Sequence, residues 1–286
     1  MDINAPPLLT RPLRDLASWA AVFEPAALPV LAETALALEE WRSNEDAVDA
    51  HLLAETIMRD PLMTLKLFAV VASSRRRRGP DDERADPETV TGALVMLGIG
   101  PFFRHFGPQP VAEDWLATTP GALAGFRAVL QRAHRAAAFA MGFAVHRMDH
   151  DAAVLHEAAL LHDFAEMLLW LRAPALALSI MERQQADPDL RSAVVQRETL
   201  NIELPDLQHQ LMLDWRLPAL LVRITDDRHA EDPQVRNVLL AIRVARHSAL
   251  GWDNAALPDD VRDIADLLQM GEVPVRTLLM DIDADA

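Results

Sequence analysis

Residues 151–171 read DAAVLHEAALLHDFAEMLLWL, and this stretch decides how the chain folds. Alanine and leucine dominate it, apolar side chains recur at helical spacing, and it contains no glycine or proline. The pattern predicts one long helix with Leu160-Leu161-His162-Asp163 in its middle. A neighbouring histidine and aspartate are costly to bury unless both are satisfied, so they are candidate functional residues.

The same composition extends over most of the chain and predicts roughly a dozen helices without strand alternation. Residues 126–146 form a second long helical pattern in which Gly142 is tolerated. Asp60 is expected to cap a helix that has Pro61 at its first position. We therefore predict an all-α fold, a multi-helix bundle.

Composition excludes several classes of protein. The chain of 286 residues is 51% hydrophobic and 24% charged, which rules out a disordered chain. The absence of cysteine excludes a disulfide scaffold, a zinc ribbon and a cysteine nucleophile. A net charge of −16 argues against a general binder of nucleic acid or anionic membranes.

The sequence shows no targeting or membrane segment. Residues 1–14 carry an acidic side chain and three prolines and lack an apolar run, so they do not resemble a secretory signal. The most apolar stretches, 155–171 and 211–224, contain charges and are shorter than the ~20 residues that cross a bilayer. We therefore expect a cytoplasmic protein.

His134 adds a third candidate residue to the histidine–aspartate pair. It lies on the long helix that precedes His162 and Asp163, and consecutive helices are expected to be antiparallel neighbours. Such an arrangement can gather three ligands for a divalent metal. A hydrogen-bonded core histidine is the plainer alternative.

These motifs resemble a known family. Residues 132–134 and 158–163 are similar to the helical core of the HD superfamily of metal phosphohydrolases. Residues 53–67 (LAETIMRDPLMTLKL), 90–98 (VTGALVMLG) and 215–218 (WRLP) resemble successive parts of an HDOD domain, over about residues 26–250. HDOD domains are mostly non-catalytic relatives of HD hydrolases that serve bacterial signalling and regulation.

The resemblance implies a domain organisation. Residues 1–25 form an N-terminal arm, 26–115 a smaller N-terminal helical part, 116–250 an HD-like helical core, and 251–286 C-terminal helices.

The resemblance also implies that the metal-ligand set is incomplete. Arg246 stands at the position of the distal aspartate that HD hydrolases use as their last ligand. Leu204 stands near an expected histidine, and only His229 remains where paired histidines are expected. The residues after the histidine–aspartate pair, Ala165 and Glu166, replace a common glycine–lysine.

We therefore expect a degenerate pocket of His134, His162, Asp163 and Arg246, with no metal, no cofactor and no catalytic residue. A guanidinium in place of a carboxylate removes an anionic ligand and repels a divalent ion. The hypothesis is that Arg246 forms a buried ion pair with Asp163.

An arginine run is the second candidate site. Residues 73–86 are expected to form a solvated loop containing Arg75, Arg76, Arg77 and Arg78. It could bind an anion such as a nucleotide phosphate, an acidic partner or nucleic acid. The alternative is a loop whose charge is balanced by the acidic residues at 81, 82, 83 and 86. No aromatic residue is interleaved with the run, which argues against single-strand binding.

The leading hypothesis is a non-enzymatic signalling module, a pseudoenzyme that contacts protein partners of a signalling pathway and could bind a nucleotide in the degenerate pocket. The alternative is a metal-dependent phosphohydrolase or phosphodiesterase using His134, His162 and Asp163. A nucleic-acid binder acting through the arginine run is a third hypothesis, which the acidic net charge disfavours.

Overall fold

The computed structural model describes residues 6–78, 87–187 and 189–285, with the backbone only at positions 46 and 75–78. These residues form seventeen α-helices and no strand, so the all-α prediction is confirmed. An isolated parallel bridge joins Val30 and Val111. The helices are α1 (Leu16–Ala20), α2 (Ala32–Arg42), α3 (Ala50–Ile57), α4 (Pro61–Arg78), α5 (Val90–Leu97), α6 (Ile99–His105), α7 (Ala112–Leu116), α8 (Ala122–His146), α9 (Ala152–Leu161), α10 (Phe164–Arg172), α11 (Pro174–Ala186), α12 (Ser192–Leu200), α13 (Leu204–Asp214), α14 (Ala219–Ile224), α15 (Pro233–His247), α16 (Leu257–Leu268) and α17 (Glu272–Asp285).

Local capping chemistry explains where many helices begin. The side chains of Asp49, Thr89 and Asp232 accept hydrogen bonds from backbone N–H groups in the first turns of α3, α5 and α15. Proline is the first residue of α4, α11 and α15, where its missing N–H leaves no helical hydrogen bond unmade. These starts follow from residues only two or three positions apart.

Helix α4 corrects the expectation of a loop beginning at residue 73. The helix continues to Arg78, because arginine is a good helix former and the first helix-breaking residues are Gly79 and Pro80. Residues 79–86 and the side chains of residues 75–78 lie outside the described part of the chain. An anion-binding role for the arginine run therefore stays a prediction.

The described residues divide into two compact units that do not follow chain order. The first unit holds the residues up to Ala128 together with Asp163–Pro218. The second unit holds Val129–His162 and the residues from Ala219 onward. The domain boundaries that the resemblance implies, at 115/116 and 250/251, stay a prediction.

Asp60 organises the amino-terminal part of the first unit. Its fully buried side chain caps α4, since Oδ1 accepts the backbone N–H groups of Leu62 (2.9 Å) and Met63 (3.0 Å). Its Oδ2 accepts the N–H of Leu31 at 2.7 Å, which ties a segment distant in sequence to the same carboxyl. Burial raises the pKa of Asp60 above its usual value, while the backbone N–H donors oppose that shift.

Lys66 is the one lysine of the chain, and it is buried in the same unit. Its Nζ donates to the carbonyl oxygen of Leu28 at 2.6 Å and to Oε1 of Gln109. Burial lowers the pKa of Lys66 to about 8, and the Asp60 carboxylate opposes this shift. Two oxygen atoms therefore accept hydrogen bonds from the Lys66 ammonium group, although its burial disfavours the charged form.

We expect the stability of the protein to rise with pH above about 8. Between that pKa and the ordinary lysine value of 10.5, the unfolded chain binds more protons than the folded one. The gain is at most about 1.4 kcal/mol per pH unit. The chain has no cysteine or tyrosine, so Lys66 is the one side chain that titrates in this window. Urea unfolding at a series of pH values from 7.5 upward measures the slope.

The control is Lys66→Met, which keeps the length of the side chain and removes the titrating group. We expect its unfolding free energy to be flat over the same alkaline window. An equal slope in wild type and Lys66→Met, or no slope in wild type, would contradict the assignment.

In the second unit, α9 and α15 are the main packing partners. Helix α9 packs against α14 and α15, α15 packs against α16, and α16 packs against α17. The buried faces of α9 and α15 are largely aliphatic. This core positions His162, which follows the last residue of α9.

Among the described residues, no single helix combines the length and apolarity needed to cross a bilayer. The bent pair Ala152–Arg172 and Pro174–Ala186 meets the requirement together, by length and composition only. The residues of α10 from Met167 to Leu171 are buried inside the protein. Core burial therefore accounts for the apolar composition of α10.

Candidate functional site

The histidine–aspartate pair lies at a break between two helices. The expectation of one continuous helix over residues 151–171 is wrong, because α9 ends at Leu161 and α10 begins at Phe164. The N–H of His162 bonds to the carbonyl of Ala159, three residues back, and Asp163 leaves the helical region with φ −109° and ψ 22°. The regular helical hydrogen-bond pattern is therefore interrupted at His162 and Asp163.

His162 is held by an acidic side chain that the sequence analysis did not single out. Its Nε2 lies 3.0 Å from Oδ1 of Asp227, and its side chain is only 9% exposed, against 49% for Asp227. Asp227 begins a 3-10 turn that runs to His229 and is capped by the side chain of Asp226. An exposed carboxylate therefore anchors a mostly buried imidazole within the second unit.

His134 and His156 are neighbours on α8 and α9 in the second unit. Both side chains are half-buried. Burial, with a smaller contribution from the nearby His134, lowers the pKa of His156 to about 4. His156 is therefore a neutral imidazole at neutral pH, suited to hydrogen bonding rather than to carrying charge.

Asp163 and Arg246 occupy different units. Asp163 is half-buried at the start of α10, where its side chain makes no capping hydrogen bond to that helix. Arg246 lies in the last turn of α15 and is exposed, not buried as expected. The proposed ion pair between these two residues stays a prediction.

The candidate metal ligands of the resemblance do not all lie in one unit. In the described part of the chain, no set of three or more histidine, aspartate or glutamate side chains is placed to hold a metal ion. The three ligands that the resemblance implies are divided between the units, with His134 and His162 in the second and Asp163 in the first. The absence of a metal at these residues stays a prediction.

The start of α10 is fixed by an aromatic contact. The rings of Phe164 and Trp215 stack with centroids 5.8 Å apart and planes at 28°. Trp215 is buried at the end of α13, so it serves as a core anchor. This contact holds the residue directly after Asp163 within the first unit.

A family model places the chain among known proteins. The HDOD domain model matches residues 28–231, which is more than half of the chain. No curated protein is a significant match to the sequence.

Solved structures share the fold at low sequence identity. The MmoQ response regulator of Methylococcus capsulatus has a TM-score of 0.63 at 19% identity, with 84% of this chain and 97% of that chain covered. A virulence factor of Campylobacter jejuni has a TM-score of 0.59 at 16% identity, with 94% of both chains covered. An HDOD domain protein of unknown function from Geobacter sulfurreducens has a TM-score of 0.50 at 15% identity, covering 94% of this chain and 95% of that chain.

At these sequence identities, the similarity to solved structures shows the fold alone. The shared fold agrees with the predicted HD-like arrangement of helices. The family model supplies the assignment that fold likeness by itself does not. The chain belongs to the HDOD domain family.

Proposed function

We propose that the chain is a non-enzymatic signalling or regulatory module that acts through protein–protein contacts, with ligand binding in the degenerate pocket around His162. The observation that carries the proposal is that, among the described residues, no three or more histidine, aspartate or glutamate side chains are placed to hold a metal ion. Nε2 of His162 lies 3.0 Å from Oδ1 of Asp227, a residue that the family's ligand pattern does not include.

Family membership supports a signalling role. HDOD domains resemble HD hydrolases but serve mostly regulation, and one structural neighbour is described as a response regulator. A protein of the same pathway is the proposed partner, and a nucleotide is the proposed ligand class. Nucleic acid is disfavoured, because the net charge of −16 opposes phosphate binding.

We expect the chain, purified without chelator, to contain substoichiometric metal and to leave cyclic dinucleotides intact in the presence of Mn²⁺. The physical reason is that a tightly bound metal needs three or more protein ligands, and the described residues place no such group of histidine, aspartate or glutamate side chains together. Elemental analysis by mass spectrometry and product chromatography measure the two quantities.

Asp163→Ala and Asp189→Ala are a matched pair for this experiment. Asp163 is the aspartate of the family motif, and Asp189 is an exposed aspartate before α12. If stoichiometric metal and turnover were found, and only Asp163→Ala abolished them, the chain would be a hydrolase and the proposal would be wrong.

A further inference from the structure

Helix α17 is held with little apolar burial. Of its fourteen residues, only Val275 and Leu279 are buried, and Val273 and Met280 are 79% and 43% exposed. An isolated helix of this length is marginal in water. Besides its packing against α16, its position therefore depends on a few specific contacts. The helix itself lies outside the residues matched by the family model.

One of these contacts is an ion pair with α8. Nε of Arg135 lies 2.6 Å from Oδ1 of Asp283, and the two side chains are 13% and 21% exposed. The indole N–H of Trp252 donates to the other carboxylate oxygen at 3.1 Å. The same guanidinium donates to the carbonyl of Ala245 and to the hydroxyl of Ser248, at the end of α15. The end of α15 thus fixes the orientation of the Arg135 guanidinium. Asp283 of α17 supplies the carboxylate that pairs with it.

A second contact is the close approach of α17 to Gly142. A Cβ added to this glycine would lie 2.4 Å from Cδ1 of Ile282, so the missing side chain makes room for α17. Ile282 and Asp283 are consecutive, yet they reach Gly142 and Arg135, which are about two turns apart on α8. The end of α17 therefore crosses α8 near the buried ring of Phe139.

These contacts define a groove that binds a helix. The groove, made of Arg135, Phe139, Gly142 and Trp252, offers a cation, an indole donor and a hollow that fits an aliphatic side chain. An amphipathic helix laid into such a groove is a recurrent mode of recognition. Helix α17 satisfies the groove through its aliphatic–carboxylate pair, and its small buried face favours its local release.

We propose that α17 is an autoinhibitory helix, and that a partner helix presenting an aliphatic residue followed by an aspartate or glutamate displaces it from the groove on α8. The occupant in the resting chain is α17 itself. The inference stands independently of the proposed function, because a hydrolase could carry the same covered groove.

Hydrogen exchange of the full-length chain tests whether α17 opens by itself. We expect the amides of α17 to exchange earlier than those of α15 in wild type. Asp283→Asn should speed α17 exchange by about tenfold and leave α15 unchanged, because only the local anchor is weakened. Asp281→Asn, an exposed aspartate on the same helix, is the control and should match wild type. Simultaneous exchange of α15 and α17 in every variant would overturn the proposal, because the helix would then open only with the whole unit.

A synthetic peptide of residues 271–286, carrying a fluorophore, tests whether the groove accepts a helix in trans. We expect it to bind the Asp283→Asn chain at a lower concentration than the wild-type chain, whose groove is filled. A peptide with asparagine at the position of Asp283, and a chain carrying both Asp283→Asn and Gly142→Val, should both bind more weakly. Equal binding to wild type and Asp283→Asn, or binding to neither, overturns the proposal.

Discussion

Replacing Gly125 with alanine is expected to lower the free energy of unfolding by about 3 kcal/mol. The indole of Trp170 lies against Gly125 in the first unit, and an added Cβ would fall 2.2 Å from its Cη2 atom. Trp170 is only 3% exposed, so its ring cannot move without displacing the surrounding core. Urea unfolding followed by circular dichroism measures the change.

The direction of this result is informative, because helix propensity alone predicts the opposite. Alanine in place of glycine inside a helix should stabilise by about 1 kcal/mol. Gly100→Ala in α6 is the control, since a Cβ there would meet only the flexible ends of Arg104 at 3.3 Å and Glu45 at 3.9 Å. If both variants were equally stable, the close approach of Trp170 to α8 would be refuted.

Replacing Asp60 with alanine is expected to cost about 4 kcal/mol of stability. The substitution leaves the N–H groups of Leu31, Leu62 and Met63 without their carboxyl acceptor, and two of these bonds are buried. It also removes the negative charge that favours the protonated form of Lys66. The shift of the urea midpoint at constant slope measures the loss.

Asp49→Ala is the matched control, because Asp49 also caps a helix and accepts two backbone N–H groups. Its side chain is exposed, so water can replace it, and the expected cost is about 1 kcal/mol. A similar loss in both variants would mean that Asp60 acts as an ordinary cap, and that its bond to the distant Leu31 contributes nothing.

The candidate site shows which of its residues a local sequence pattern could identify. The sequence identified His162 and Asp163 as polar residues in an apolar helical stretch, and their positions next to the cores of α9 and α10 agree with this. It did not identify Asp227, which is 65 residues further along the chain. The only signal was a pair of aspartates at 226 and 227, a pattern that by itself is typical of a solvated turn.

Long-range packing also explains why the helix over residues 151–171 breaks. Helix propensity favours continuation through this alanine- and leucine-rich stretch, and no glycine or proline interrupts it. Phe164 instead stacks on Trp215 in the first unit, while His162 bonds to Asp227 in the second. Contacts with distant partners therefore lie on both sides of the helix break. This tertiary packing interrupts the helix despite the high helix propensity of the stretch.

The amino-acid sequence by itself determined the all-α class, the capped starts of helices such as α3 and α4, and the family motifs, because propensity, periodicity and capping act between residues a few positions apart. Only the tertiary structure decided which glycine is indispensable, which aspartate is buried and which partner His162 takes. Gly125 and Gly100 both lie within helices, and Asp60 and Asp49 both cap helices. They differ in what the folded chain places against them, and close approach and burial depend on residues that are far apart along the chain.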